Sequence, residues 1–255
     1  MKEAETSKSM STGLMRVMER ARKNPNGKMR SLAHHIDIEA LRRSFHRIRG
    51  NAAVGVDGVT KEAYGENLED NLVVLHKRLK GMKYRHQPIR RSHLPKGGGK
   101  TRPIGISTTE DKVVQGAIGE LLGVIYEQEF LGCSYGFRPG RSAHDALKAL
   151  NWSIRYGEAN WILKTDVAAF FDSMDRPILR GMLEERIDDK SLMRLIGKCI
   201  HVGVLEGAEF QTPEEGAAQG SILSPLLGNI YLHHVIDKWY ENEGKPRMRG
   251  RSCLT

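Results

Sequence analysis

The segment Lys164-Thr165-Asp166-Val167-Ala168-Ala169-Phe170-Phe171-Asp172 sets a carboxylate at the end of an apolar run. Burying such a group is costly unless a cation meets it. Metal-assisted phosphoryl transfer uses this arrangement, because Mg2+ takes hard oxygen ligands, often one or two carboxylates together with substrate phosphates. A strand-end aspartate that merely caps the following turn has the same local pattern, so the segment alone leaves both readings open. Leu94-Pro95-Lys96 through Lys100-Thr101-Arg102-Pro103 surrounds a Gly97-Gly98-Gly99 tip with cations. Such a hairpin suits a triphosphate, since arginine binds phosphate through two parallel N–H groups; a generic basic hairpin fits equally. In Gly216-Ala217-Ala218-Gln219-Gly220-Ser221-Ile222-Leu223-Ser224-Pro225, glycines flank a glutamine ahead of a Ser-Pro helix start. Backbone there can press against a flat base pair, although a plain loop-to-helix junction reads alike. Tyr135-Gly136-Phe137-Arg138-Pro139-Gly140-Arg141-Ser142-Ala143-His144-Asp145 combines aromatics and arginines, which bind nucleic acid by stacking and phosphate contact. His144 reads as a helix-face residue.

The elements that must position these residues follow from periodicity and caps. The stretch to about Asn51 is helical in pattern, with Leu32, Ile36, Ile38 and Leu41 amid basic faces. Gly55-Val56-Asp57-Gly58 is a turn, and Thr60 caps a helix running through Leu68, Leu72, Leu75 and Leu79. Ile89–Pro95 and Thr101–Ile106 read as the two strands of the glycine-tipped hairpin. Ser107 with Glu110 forms a capping-box signature for a helix carrying Val114, Ile118, Leu121 and Ile125 on one face. Ser142 opens another helix through Ala146, Leu147, Leu150 and Ile154, and Trp161–Val167 reads as a short buried strand. Helices near Pro177–Arg186 and Lys190–His201 follow, then a second hairpin between Val202 and Gln211. Ser224 as N-cap and Pro225 as first helical residue start the last helix, through Leu227, Ile230, Tyr231 and Ile236. Helices mixed with hairpins, without regular strand-helix alternation, give an α+β fold class.

The 255 residues suffice for one large or two modest domains, with 39% hydrophobic and 28% charged residues, an ordinary globular composition. No apolar run approaches the roughly 18 residues of a membrane helix, and the polar start MKEAETSKSM has no signal-peptide core. Cys133, Cys199 and Cys253 are scattered, without metal-ligand spacing, and read as reduced thiols of a cytoplasmic protein. The informative property is charge, a net +9. From Lys77 to Arg102 there are ten lysines and arginines and no Asp or Glu. A second basic run covers Arg16 to Arg49. Such blocks repel themselves unless a polyanion neutralises them, and the counterions it releases drive binding. Nucleic acid is the expected partner; charge alone does not separate DNA from RNA.

Taken together, Gly55-Val56-Asp57-Gly58-Val59-Thr60, Pro95-Lys96 to Pro103, Tyr135 to Ser142, Asp166 to Asp172 and Gln219-Gly220 to Leu226 keep a specific order. In that order the sequence resembles the reverse transcriptases encoded by bacterial group II introns, from about residue 30 onward. The resemblance implies the fingers and partial palm of a right-hand polymerase. It sets a basic helical extension over 1–50, fingers over 51–160 and part of the palm over 161–255. It implies RNA-templated DNA synthesis from deoxynucleoside triphosphates on a DNA primer, and in fuller members assistance to splicing of the intron RNA. By the same resemblance Asp166 is the first catalytic, metal-binding carboxylate, and the backbone oxygen of Val167 also touches Mg2+. Lys96 and Arg102 hold the triphosphate, the Phe171 ring excludes a ribose 2′-hydroxyl, and Gln219 and Gly220 line the nascent base pair. Arg85, Arg90, Arg91, Arg138 and Arg141 are the expected RNA contacts.

The family's next motif, an aromatic-Ala-Asp-Asp hairpin with the other metal-binding carboxylates, does not occur up to Thr255. Asp172, Asp175 and Asp237 are poor substitutes, because the first two belong to the turn after Asp166 and the third follows the last motif helix. The expectation is an incomplete two-metal site and no polymerase activity of these residues alone. An Asp166 strand without its neighbours is expected to be aggregation-prone. Two further readings are a non-catalytic RNA-binding remnant and one half of a split enzyme.

Overall fold

The computed structural model describes residues 10–96, 98–156, 161–207, 209–211 and 221–247. In chain order the helices are α1 (Thr12–Lys23), α2 (Ile38–Arg47), α3 (Lys61–Glu66), α4 (Leu68–Lys80) and α5 (Thr109–Tyr126). They continue with α6 (Ala143–Tyr156), α7 (Arg176–Arg186), α8 (Lys190–Ile200) and α9 (Ser224–Leu232). The strands are β1 (Ile89–Lys96), β2 (Lys100–Ile106), β3 (Val204–Glu206) and β4 (Glu209–Gln211). A 3-10 turn covers Ala33–His35, and α9 runs on into π-helical turns at His233–Asp237 and Tyr240–Gly244. The chain divides into two compact units, each built from separate stretches of sequence. One comprises Gly27–Leu122 and Ala169–Ser224; the other comprises Met1–Asn26, Gly123–Ala168 and Pro225–Thr255.

In the first unit the strands form one sheet in the order β2-β1-β3-β4. Both expected hairpins are present, and β1 additionally pairs in parallel with β3 at Ile89–Val204 and Arg90–Leu205. The core is centred on α5, whose Val113, Val114, Ala117, Ile118, Leu121 and Leu122 are all buried. Those positions form two adjacent columns at i,i+4 spacing, so a broad face rather than a narrow stripe is taken from water. Gly116 lets α2 come close, since a Cβ there would fall 2.1 Å from Ser44 Oγ. The start of α5 is capped one residue later than the sequence suggests. Thr108 Oγ1 accepts from the Asp111 N–H at 3.1 Å and donates to the Asp111 carboxylate at 2.7 Å, while the Ser107 hydroxyl takes a donor from Gln115. The helix expected after Thr60 is also two helices, broken at Asn67, whose φ of −123° and ψ of 43° interrupt the α-helix. The Asn71 amide donates across that break to the Tyr64 carbonyl at 2.9 Å.

Asp189 ties the far part of this unit together. Its carboxylate accepts from the N–H groups of Ser191 and Leu192 at the start of α8, and from Leu32 and Ala33 across the chain. An isolated parallel bridge between Met29 and Ile187 lies beside it. In the second unit the buried apolar residues include Leu14, Val17 and Ala21 of α1, Ile125 and Tyr126, Phe130, Leu227, Ile230 and Tyr240.

The buried strand expected over Trp161–Val167 is not formed. This stretch has no regular structure and is exposed, with Trp161 at 94% and Leu163 at 90% of full exposure. A strand is held by its ladder, and among the described residues none pairs with it. Apolar composition alone therefore does not make the element.

Candidate nucleic-acid and triphosphate site

The β1–β2 hairpin is the best-built part of the site. Its antiparallel register runs from Arg90 opposite Ile106 to Lys96 opposite Lys100. Leu94 faces Arg102, so these two share one side of the ribbon, both exposed. On the other side Arg91 and His93 lie 3.6 Å and 3.4 Å from the Glu206 carboxylate of β3. Gly98 and Gly99 at the tip take φ of 75° and 73°, a left-handed conformation that favours glycine. Arg90 is turned inward and donates twice to the Val54 carbonyl, at 2.8 and 3.1 Å. Arg85 is exposed just before the hairpin.

A buried polar network holds the hairpin's base to α5. Asp111, 1% exposed, accepts from the Tyr84 hydroxyl at 2.6 Å, Thr108 Oγ1 at 2.7 Å and the Gln87 N–H at 3.1 Å. Burial, with the Asp111 charge next to it, pushes the Tyr84 hydroxyl far above its ordinary pKa, so it stays a donor. One turn along α5, the fully buried Gln115 side chain sits 2.8 Å from His86 Nε2 and 3.1 Å from Ser107 Oγ. Its carbonyl oxygen accepts from the Ile222 N–H at 3.2 Å. Gln115 thus links the hairpin's base to the residues that follow Gln219 and Gly220. Motif reading missed Asp111 and Gln115; the available signal was a polar residue at each of two positions within an apolar helix.

Gln219 and Gly220 lie outside the described residues, as does the side chain of Lys96. Phe171 is half-buried, its ring centroid 5.2 Å from that of Phe170. The turn that carries it closes through N–H groups of Asp172 and Ser173 on the Ala169 carbonyl, at 2.9 and 3.0 Å. Asp175 then caps α7 through the Ile178 N–H at 2.7 Å. Asp166 and Val167, in the other unit, are both exposed.

The second unit also holds the arginine-rich loop. Arg138 is buried and committed to internal partners: Glu127 at 3.0 Å, the Leu131 and Ser134 carbonyls at 2.7 and 2.8 Å, and the Phe130 ring face. It shapes the loop, whereas its expected role was RNA contact. Arg141 lies over the Tyr135 ring and donates to the Gly132 carbonyl. Phe137 has a left-handed φ of 54° and is 77% exposed.

The fit of a two-ion magnesium site can be judged on the carboxylates present. Among the described residues no three His, Cys, Asp or Glu side chains gather into a metal-binding group. The adjacent Asp188 and Asp189 are spoken for, the first by Arg30 at 2.7 Å and the second by its backbone donors. Asp166 alone cannot clamp two ions. The described residues do not fit that site. No helix among the described residues is long and apolar enough to cross a membrane.

An α+β fold with a basic hairpin held to a central helix is the fold class expected for the fingers and palm of a right-hand polymerase. Comparison with known proteins agrees. The family described as "Reverse transcriptase (RNA-dependent DNA polymerase)" matches residues 94–249. The chain is 35% identical over 218 residues to Protein YkfC of Escherichia coli K12, covering 79% of this chain and 57% of that protein. It is 35% identical over 193 residues to the group II intron-encoded protein LtrA of Lactococcus lactis, covering 75% of this chain and 32% of LtrA. A putative COX1/OXI3 intron 2 protein of Saccharomyces cerevisiae is 32% identical over 229 residues. Among solved structures, a partial Cas6-RT-Cas1–Cas2 complex shares the fold at TM-score 0.51 and 21% identity, over 82% of this chain and 34% of that one. The chain belongs to the reverse transcriptase family, in the branch of group II intron-encoded proteins. It spans 57% of the Escherichia coli relative and 32% of LtrA.

Proposed function

We propose that this chain is the RNA- and triphosphate-gripping part of an RNA-directed DNA polymerase of the group II intron type, with fingers over 51–160 and part of the palm over 161–255. The observation that carries this reading is the exposed Arg102 on a basic, glycine-tipped hairpin, tied through Asp111 and Gln115 to the segment after Gln219-Gly220. In this role Arg102, with Lys96, binds the triphosphate of a deoxynucleotide, and arginine's fork holds phosphate bidentately. Phe171 stands against the sugar and excludes a 2′-hydroxyl, while Gln219 and Gly220 lie against the nascent base pair. Arg85 and Arg91 in one unit and Arg141 in the other contact RNA, and Arg90 and Arg138 each shape the backbone of their own unit.

Asp166 is one carboxylate where two ions need several, so among the described residues the chain is expected to bind RNA without polymerising. The test is primer extension on an RNA template alongside RNA binding by anisotropy. Binding without extension is the expected pair. Extension that Asp166→Ala abolishes would overturn the statement about polymerisation. Absence of salt-dependent RNA binding would overturn the gripping role.

A further inference from the structure

A cleft away from the hairpin is built from three separate stretches of the Gly27–Leu122 and Ala169–Ser224 unit. It has a volume of about 260 Å³ and lies among the Ala33–His35 turn, the end of α4 and the outer face of α8. Its floor is apolar: Ile36, Leu79, Tyr84 and Leu195. Its cations are Lys80, Arg194 and Lys198; His34 and His76 also line it, and no lining residue is acidic. Two carboxylates of the surrounding turns are already engaged. Asp189 is saturated by four backbone N–H groups, and Asp37 caps α2 through the Ala40 N–H at 2.8 Å.

Among the described residues Arg194 and Lys198 meet a sulfur and two carbonyls, and no carboxylate. Arg194 points its Nη1 at the sulfur of Met82, 2.8 Å away, a weak acceptor. Lys198 donates to the Met82 and Tyr84 carbonyls. Among the described residues no salt bridge includes Lys80, Arg194 or Lys198. Arg194 and Lys198 stand four residues apart on α8. At that spacing a surface helix gains from a Glu-Lys pair; here both positions are basic, which costs stability unless something negative arrives. Met82, between them, is 53% exposed and held at a left-handed φ of 56°. A non-glycine residue in that conformation is strained, and such strain gathers where ligands bind.

We propose that this cleft is a subsite for one nucleotide of a single-stranded RNA, with its phosphate against Lys80, Arg194 and Lys198 and its base on the Leu79–Leu195 floor. The volume admits one base with its sugar, not a duplex. Flexible single strands offer an unstacked base and a phosphate together, which a cationic rim over an apolar floor recognises. The inference rests on the RNA-binding reading above but adds a contact point that no motif marks.

The experiment uses a labelled twelve-residue oligouridylate, uridine monophosphate and polyglutamate as probes of the full chain, with Lys80→Glu/Arg194→Glu and the milder Lys80→Gln/Arg194→Gln. These side chains are exposed, so the fold should tolerate both variants, checked by an unchanged thermal melt. The proposal expects oligouridylate affinity to fall about tenfold in the Glu variant and less in the Gln variant. It expects the slope of log K against log salt to shrink by about 0.7. A 4-thiouridine oligomer should crosslink to the peptide containing Met82 or Tyr84. Unchanged affinity in the Glu variant, with affinity lost when Arg85 and Lys77 are reversed, would overturn the cleft and leave the RNA reading standing. Uridine monophosphate binding as tightly as the oligomer would overturn the polymer assignment, and polyglutamate competing as well as RNA would overturn nucleotide recognition. Failure of the wild-type chain to bind any of the probes would overturn both readings.

Discussion

Replacing Asp189 by alanine removes an acceptor that serves four backbone donors at once. Oδ1 takes the N–H groups of Ser191 and Leu192, each at 3.0 Å, and Oδ2 takes those of Leu32 at 2.6 Å and Ala33 at 2.9 Å. The first pair is a helix N-cap, and losing one costs about 1 kcal/mol. The second pair belongs to a turn in which Leu32 is fully buried, and each orphaned buried donor costs about 1–3 kcal/mol. Water reaches part of this half-buried site, so the lower end applies, and Asp189→Ala should destabilise by about 3 kcal/mol. Asp189→Asn keeps one good acceptor and should cost about half as much. Burial alone would raise the Asp189 pKa; the N–H groups of Leu192, Ala33, Leu32 and Ser191 outweigh it and hold the carboxyl below its ordinary range. A group whose folded pKa is depressed stabilises above its unfolded pKa, about 3.9, and loses that contribution as pH falls through the folded value. The wild-type advantage over Asp189→Ala should therefore be constant from about pH 5 to 7 and shrink below about pH 4. Urea unfolding at several pH values measures both. A loss under about 1 kcal/mol, or a difference that persists unchanged into acid, would refute the reasoning.

Further outcomes follow from close approaches and buried polar groups. Gly55→Ala would set a Cβ 2.5 Å from Thr108 Cα, a backbone atom that cannot swing away, and should cost about 2–3 kcal/mol in urea unfolding. Gly203→Ala meets only the ring of the largely exposed Phe210 and should cost under about 1 kcal/mol, a paired control. Asp111→Leu should cost about 3 kcal/mol in the same assay, because it strands the buried Tyr84 hydroxyl and the Gln87 N–H. Arg138→Lys keeps the charge but not the fork that reaches Glu127 and both carbonyls. It should lower thermal stability by about 2 kcal/mol, whereas a solvent-facing arginine would show no change.

Much of the architecture was legible because it is locally encoded. The hairpin announces itself in alternating residues around three glycines, and Ser142 with the Ala143–Tyr156 periodicity marks a helix start directly. The break at Asn67 was hidden because Leu68, Leu72, Leu75 and Leu79 keep helical spacing downstream of it. The cap of α5 was misread by one residue because Ser107-Thr108-Thr109 offers hydroxyls at successive positions, and only Gln115, a long-range partner, decides that Ser107 is occupied. The parallel pairing of β1 with β3 joins distant residues and leaves no local pattern. Trp161–Val167 shows the converse: its composition is strand-like, yet strand formation depends on a partner that composition does not contain. For the site, residue types do not reveal that the Arg90 and Arg138 side chains turn to internal carbonyls. An arginine in a basic motif looks the same whether it meets a phosphate or a carbonyl.

The measurement that bears most directly on the central claim is RNA binding by wild type, Asp166→Ala and Arg85→Glu/Arg91→Glu across a salt series. The account predicts that Asp166→Ala binds like wild type, because phosphate contacts do not use that carboxylate. It predicts that the double reversal is weaker by at least about tenfold, with a flatter dependence on salt. Equal RNA affinity for the double reversal and the wild type, or none for the wild type, would contradict the claim that this chain grips RNA through its hairpin.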